Sequence, residues 1–304
     1  MKLLIIGCGS IGSRHARNAR ALGHSVVLCD PDSKRGQYPD YKQALEHECI
    51  DAAVVASPSN LHVEAAQYLA QNGIPIFMEK PLATSLDGIK NLLQIVKEKG
   101  VITMMAQSYR WHEGLLALQE FLKTGAIGAP RQVRLIAKEY LPDWHPQQDY
   151  RVEYAAQKKM GGGAMFTSMS HTLDTIEWLF GVILKIEGRK ERSGNLDIDA
   201  DDTVDVQGST LRAVMFTAHV DYFTKSRVNL LYVECERGSC ELDLRGNTLN
   251  GEPYVFDSNK RYIDELAYFI ELVKFGRSDL ALDLAHGAHI VELMIDPHIK
   301  DLTI

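Results

Sequence analysis

Two stretches of different periodicity predict an α/β protein in two parts. Through about residue 110, short apolar runs alternate with helix-period segments; from residue 182 to 256, strand-like runs follow one another with only turns between them. The third observation is length, since 304 residues suit two domains better than one. The expected architecture is a parallel sheet with helices on both faces over residues 1–120, followed over 121–304 by an α+β part with a mostly antiparallel, open-faced sheet.

The first strand is the apolar run 2–6, ending in Gly7. A helix-like stretch over 11–22 stops at Gly23, and a second strand over 26–29 ends at Asp30. The run Ala52-Ala53-Val54-Val55-Ala56 is a third strand, broken by Ser57-Pro58-Ser59; residues 62–71 have helical spacing and end at Asn72-Gly73. Residues 74–78 form the next strand. Thr84 or Ser85 is expected to cap a helix carrying Leu86, Ile89, Leu93 and Val96 on one face, ended by Gly100 before a strand over 101–105. A helix over 111–123 leads out of this part, and residues 131–140 alternate like a strand. A helix opens after Gly161-Gly162-Gly163, strands follow over 183–189, 203–207, 213–220, 228–235 and 239–244, and helices over 261–274 and 284–294 close the chain.

Composition narrows the function. The formal net charge of −7 argues against a general nucleic-acid binder, which needs basic surface to displace counterions. The five-residue apolar run above is the longest, too short to span a bilayer. Five cysteines without a repeated spacing fit a reducing cytoplasm better than a disulfide framework. No metal site is expected: His286 and His289 lack a further ligand at metal spacing, and His47-Glu48 begins an H-E-x-x-H that Asp51 fails to complete.

In parallel sheets ligands sit beyond the carboxyl ends of the strands. After the first strand comes Gly7-Cys8-Gly9-Ser10-Ile11-Gly12. Gly7 permits a tight turn, Gly9 a close approach of backbone to pyrophosphate, and Gly12 close helix–strand packing. With a strand before, a helix after and Asp30 closing the next strand, this is the fingerprint of a Rossmann dinucleotide site. Exposed N–H groups at the helix start attract phosphate, so an acidic protein can hold an anionic cofactor. Asp30 accepts ribose hydroxyls and repels a 2′-phosphate, favouring NAD over NADP, although Lys34 and Arg35 lie near enough in sequence to compensate.

The fourth strand runs into Glu79-Lys80-Pro81. From composition alone two readings stand: a solvated strand end, or a lysine held over the cofactor by Glu79 and stiffened by Pro81. Thr167, His171, Asp174 and Trp178 fall along one helical stripe, where a histidine is more often a satisfied interior residue than a functional one. The loop over 141–151 is rich in aromatic and charged residues. Trp144, Tyr150 and Arg151 either pack it down or form a lip over a sugar-sized cleft.

The glycine motif, Ser57-Pro58 with His62, Glu79-Lys80-Pro81, and Gly161-Gly162-Gly163 followed by His171 and Asp174 together resemble the Gfo/Idh/MocA oxidoreductase family. The resemblance implies that Lys80 is catalytic, that the Ser57-Pro58 segment lies beside the nicotinamide and that His171 stands beside the substrate. Gly7, Gly9, Ser10, Ile11, Gly12, Asp30, Ser57, Pro58, His62, Glu79 and Lys80 are then the cofactor set. Trp144, Tyr150, Arg151, Thr167 and Asp174 are substrate candidates. One departure stands out: the family often carries an Asp four residues before that histidine, and this chain has Thr167, which supplies no carboxylate.

The implied activity is hydride transfer between NAD(H) and a secondary alcohol or ketone of a sugar, cyclitol or related polyol derivative. Lys80 would act as acid/base with His171, its pKa lowered toward neutrality by the positive nicotinamide ring. The same family also contains NAD-dependent glycosidases, and related folds serve as NAD-responsive regulators; these are the alternatives. Family sheets commonly pair between subunits, so a homodimer or homotetramer is expected, with neither nucleic acid nor membrane as partner.

Overall fold

The computed structural model describes residues 1–296 and 298–302. Two compact units emerge. One joins Met1–Ser108 to Asn259–Glu292; the other comprises Tyr109–Ser258 and the segment from Leu293.

The first unit opens with β1 (Lys2–Ile6), α1 (Ser10–Ala21), β2 (Ser25–Cys29), α2 (Tyr41–His47), β3 (Ala52–Val55), α3 (His62–Gln71), β4 (Ile76–Met78), α4 (Ile89–Lys99) and β5 (Thr103–Met105). The strands form one parallel sheet in the order β2-β1-β3-β4-β5, so the order reverses beside β1. Leu3, Leu4, Ile5, Val54, Val55, Ile76 and Phe77 are fully buried, which is why these strands read as continuous apolar runs instead of alternating. The expected cap at Thr84 or Ser85 does not start α4. Ser85 Oγ instead accepts from the Asp87 amide at 3.2 Å, closing a local turn, and the helix begins after Gly88 in the left-handed region at φ 75°. Not anticipated was α2, capped by Asp40, which accepts from the Lys42 amide at 2.6 Å.

The second unit contains α5 (Glu113–Lys123), β6 (Pro130–Tyr140), α6 (Ser170–Phe180), β7 (Ile183–Glu191), β8 (Thr203–Thr210), β9 (Met215–Asp221), β10 (Phe223–Cys235), β11 (Gly238–Asp243), β12 (Thr248–Leu249) and β13 (Glu252–Pro253). The chain then returns to the first unit as α7 (Lys260–Phe275) and most of α8 (Leu284–Met294), and ends in β14 (Ile299–Asp301) of the second. Its sheet runs β13-β12-β11-β10-β6-β9-β8-β7-β14, antiparallel except where β6 meets β9 and β14 meets β7. It is therefore not the simple meander that consecutive strands suggest. Along β6, β8 and β9, Val133, Val204, Val206, Phe216, Ala218 and Val220 are buried. Their alternates Arg134, Gln207, Thr217 and His219 line a shallow concavity on the opposite face.

A single break at residue 120 fails to describe this division. The chain leaves the first unit at Ser108, and α7 belongs to that unit because its apolar face packs there. Phe269 meets Phe77 of β4 with ring centroids 5.4 Å apart, and Tyr262 meets His15 of α1 at 6.4 Å. Among the described residues no helix is long and apolar enough to cross a membrane.

Candidate active site

The candidate residues fall in both units, and each set is described within its own. In the first, Gly7 turns the chain at φ 89°, with a virtual Cβ only 2.6 Å from the Ala56 carbonyl oxygen, so a side chain is excluded. A Cβ on Gly9 would meet nothing within 4 Å, leaving the backbone open to a ligand. No side chain caps the start of α1, so the amides around exposed Ser10 and half-buried Ile11 keep their donors for an anion. Gly12 packs against the turn, as expected of the third glycine.

Asp30 reaches back across this turn. One oxygen accepts from the Cys8 amide at 2.8 Å and the other from the Asp32 amide at 2.9 Å, fixing the carboxylate at the carboxyl edge of the sheet. Arg35, which could have compensated a 2′-phosphate, pairs with Asp32 at 3.4 Å. At the end of β3 the Ser57 hydroxyl oxygen is buried and has no hydrogen-bond partner among the described residues, an orphan that a ligand polar group would satisfy. Half-buried Pro58 follows it. The residues present thus fit a dinucleotide.

His62 links two segments of this site. It is fully enclosed, with Nδ1 2.9 Å from the Pro81 carbonyl and Nε2 2.8 Å from that of Ser57, and so ties together the segments after β3 and β4. Burial holds its pKa below the ordinary value, against the pull of those two carbonyls.

Glu79 is buried directly beyond β4, where His15 Nε2 donates to Oε1 at 2.7 Å and the Lys80 backbone amide to Oε2 at 3.2 Å. Burial pushes its carboxyl up, but the bond and charge of His15 with the charges of Lys80 and His62 outweigh this, leaving the pKa low. Half-buried Lys80 is driven the other way, to about 8, by burial first and by Arg261; Glu79 opposes the fall. The Lys80–Pro81 peptide is cis. Sequence reasoning missed two members of this cluster. His15 lies on α1, and Glu265 of α7 is fully buried, with both carboxyl oxygens lacking a hydrogen-bond donor among the described residues. Burial, and then the Glu79 charge, raise the Glu265 pKa well above the usual range.

In the second unit the glycine run opens a widened turn. Met165–Met169 is a π-helix, and α6 follows directly, so Thr167 is rotated off the straight stripe expected with His171, Asp174 and Trp178. Gly163 is at φ 104°, and a Cβ there would lie 2.5 Å from Asp201 Oδ1, whose neighbouring oxygen accepts from the Met165 amide at 2.8 Å. Here the glycines admit an aspartate cap.

Tyr222, fully buried, hydrogen-bonds Ser168 at 2.7 Å and also engages the Thr167 hydroxyl. Half-buried His171 stacks on Tyr109, with ring centroids 4.6 Å and planes 9° apart. Asp174 is fully buried and receives Arg110 Nη2 at 2.7 Å and Nε at 3.1 Å on its two oxygens.

The residues of the aromatic loop are held by contacts within the second unit. Trp144 meets Tyr222 edge-on at 5.1 Å, the Tyr150 hydroxyl accepts from the Asp197 amide at 3.1 Å, and exposed Arg151 is held by Asp149 at 2.7 Å. Tyr109 and Arg110 had a signal that went unused. They stand in Gln107-Ser108-Tyr109-Arg110-Trp111, just beyond β5, where residues after a parallel strand ask for a reason.

Comparison with known proteins defines the class. Residues 1–107 match the family model described as "Oxidoreductase family, NAD-binding Rossmann fold", and residues 115–241 the "GFO/IDH/MocA C-terminal domain". The chain belongs to the Gfo/Idh/MocA oxidoreductase family, and its N-terminal domain is of the NAD-binding type. It is 24% identical over 194 residues to a myo-inositol 2-dehydrogenase of Thermotoga maritima, covering 60% of this chain and 55% of that protein. With a levoglucosan dehydrogenase of Pseudarthrobacter phenanthrenivorans it shares 29% identity over 143 residues, 47% of this chain and 36% of the other. The chain thus spans about half or less of the length of these curated relatives. A solved oxidoreductase from Agrobacterium radiobacter, in complex with NAD+, L-tartaric acid and magnesium, superposes with a TM-score of 0.82 at 18% identity. The match covers 97% of this chain and 94% of that one and shows the shared fold.

Proposed function

We propose that the protein transfers a hydride between NAD(H) and a secondary alcohol or ketone of a sugar, cyclitol or related polyol derivative. The observation that carries this reading is Lys80, half-buried at the carboxyl edge of the dinucleotide sheet with its pKa lowered to about 8 beside the Glu79–His15 pair. An amine so poised accepts a proton near neutral pH and returns it equally well.

In the oxidative direction a bound NAD would supply the hydride acceptor, and the Lys80 amine takes the proton of the substrate hydroxyl. In reduction the Lys80 ammonium donates to the carbonyl oxygen. Glu79 fixes the backbone at Lys80 and keeps a compensating negative charge beside it. His171 is assigned to the substrate hydroxyls. Thr167, engaged by Tyr222, supplies no carboxylate for a base, which leaves acid/base work with Lys80. Relatives named for myo-inositol and levoglucosan support a polyol as substrate. Five free cysteines suit a reducing compartment such as the cytoplasm.

The test is to incubate the purified protein with NAD and a panel of cyclitols and sugars that includes myo-inositol and levoglucosan, following absorbance of the reduced nicotinamide. Stoichiometric NADH that disappears in Lys80→Ala, with NAD affinity kept within about threefold, is the expected result. Hydrolysis without net NADH would point to a glycosidase, and full turnover in Lys80→Ala would remove the lysine from the reaction.

A further inference from the structure

The single 3-10 turn Ser108–Trp111 reaches α6 with two consecutive side chains, Tyr109 and Arg110. They grip residues one helical turn apart, His171 and Asp174. The Tyr109 ring lies flat against the imidazole, at 4.6 Å and 9°, an offset-parallel contact that blocks rotation about the last side-chain torsion of His171. Arg110 holds both oxygens of Asp174, and the side chains of this pair are only 10% and 1% exposed, so the helix turn under His171 has a fixed height and rotation. Tyr109 is itself braced: its hydroxyl accepts from Asn229 Nδ2 of β10 at 3.4 Å, and the His112 ring meets its edge at 6.1 Å.

Such bracing has a local cause. The π-helix Met165–Met169 ends just before α6, so the hydrogen-bond frame changes immediately N-terminal to His171, and the helix backbone alone holds this turn less firmly than it would in an unbroken α-helix.

We propose that Tyr109 is a positioning residue for His171, setting the plane of its imidazole while Arg110 anchors the turn that carries it. The role rests on the reading that His171 meets the substrate, but its test needs neither substrate nor cofactor. Carbon-13 relaxation at the imidazole of His171, in the selectively labelled full-length protein, reports how far the ring is fixed. An order parameter of about 0.85 is expected in the unaltered protein and in Tyr109→Phe, which keeps the stack, and a value below about 0.6 in Tyr109→Leu, which abolishes it. Tyr109→Met, which fills the space without a flat ring, should give the same low value and covers the case in which Tyr109→Leu does not fold. A His171 ring as ordered in Tyr109→Leu and Tyr109→Met as in the parent overturns the proposal. Loss of order in Tyr109→Phe equal to that in Tyr109→Leu also overturns it, because the hydroxyl and not the ring would then be the brace. Absence of turnover on every polyol would count against the hydride-transfer reading and leave these order parameters untouched.

Discussion

Lys80 shows how a residue's chemistry is set by where it is buried. Its amine loses hydration at the sheet edge, and the resulting fall to about 8 outweighs the attraction of Glu79. The sign of the pH dependence follows. If Lys80 carries the proton as proposed, oxidation needs the free amine, so kcat/KM in that direction should climb as pH rises through about 8 and then level, whereas reduction needs the ammonium and should fall over the same interval. Parallel profiles in the two directions would show that another group carries the proton. Glu265 is the opposite case, a carboxyl whose proton is held by burial and by the neighbouring Glu79 charge. The folded protein keeps this proton after the unfolded chain has released it, so stability is greatest below the ordinary glutamate pKa and declines as pH rises toward the folded value. The decline is about 1.4 kcal/mol per pH unit for one proton. Glu265→Gln, neutral at every pH, should therefore gain stability over the parent, increasingly from pH ~5 upward. A pH-independent difference in urea unfolding midpoint would mean that Glu265 is ionised in the fold.

At the scale of elements, the second unit depends on how α6 is seated. Gly163 gives room to Asp201, which caps the widened turn, and Arg110 anchors the helix one turn beyond His171 through Asp174. Arg110→Met removes the guanidinium from a carboxylate that is 1% exposed, and should cost about 3–5 kcal/mol in denaturant unfolding. The double variant Arg110→Met/Asp174→Leu should recover much of that, because no charge is then buried. A loss under about 1 kcal/mol in the single variant would show that the pair does not hold the helix.

At the scale of the molecule, the larger sheet has one face closed by its own core. Its other face carries Arg134, Gln207, Thr217 and His219, with Met215 in line with Thr217 and His219 along β9 and 56% exposed. Pairing of this face with a second copy is the oligomer we propose. Met215→Arg/Thr217→Arg should shift the sedimentation coefficient from dimer or tetramer toward monomer, because two unpaired charges would be placed in the contact. An unchanged assembly would mean that subunits meet elsewhere.

Much of this was legible along the chain. The glycine turn, Asp30, the strand-end Ser57-Pro58 and Glu79-Lys80-Pro81 all lie next to the local signals that define them, because a parallel sheet delivers its functional residues just beyond its strands. Nearest-neighbour patterning also specified α1, α3 and the strands β1 to β11, since apolar period and stop residues are local properties; the short β12, β13 and β14 carried no such signal. What the tertiary structure alone decided involves residues far apart in sequence. His15 meets Glu79 across 64 positions, Arg110 meets Asp174 across 64, and α7 rejoins the first unit from the end of the chain. Periodicity carries no information about such pairings: it says that a helix has an apolar face, not which sheet will bury it. Burial then did the rest, lowering the pKa of Lys80, raising that of Glu265 and enclosing Asp174 with Arg110, states that these charged side chains acquire from their surroundings and not from their spacing.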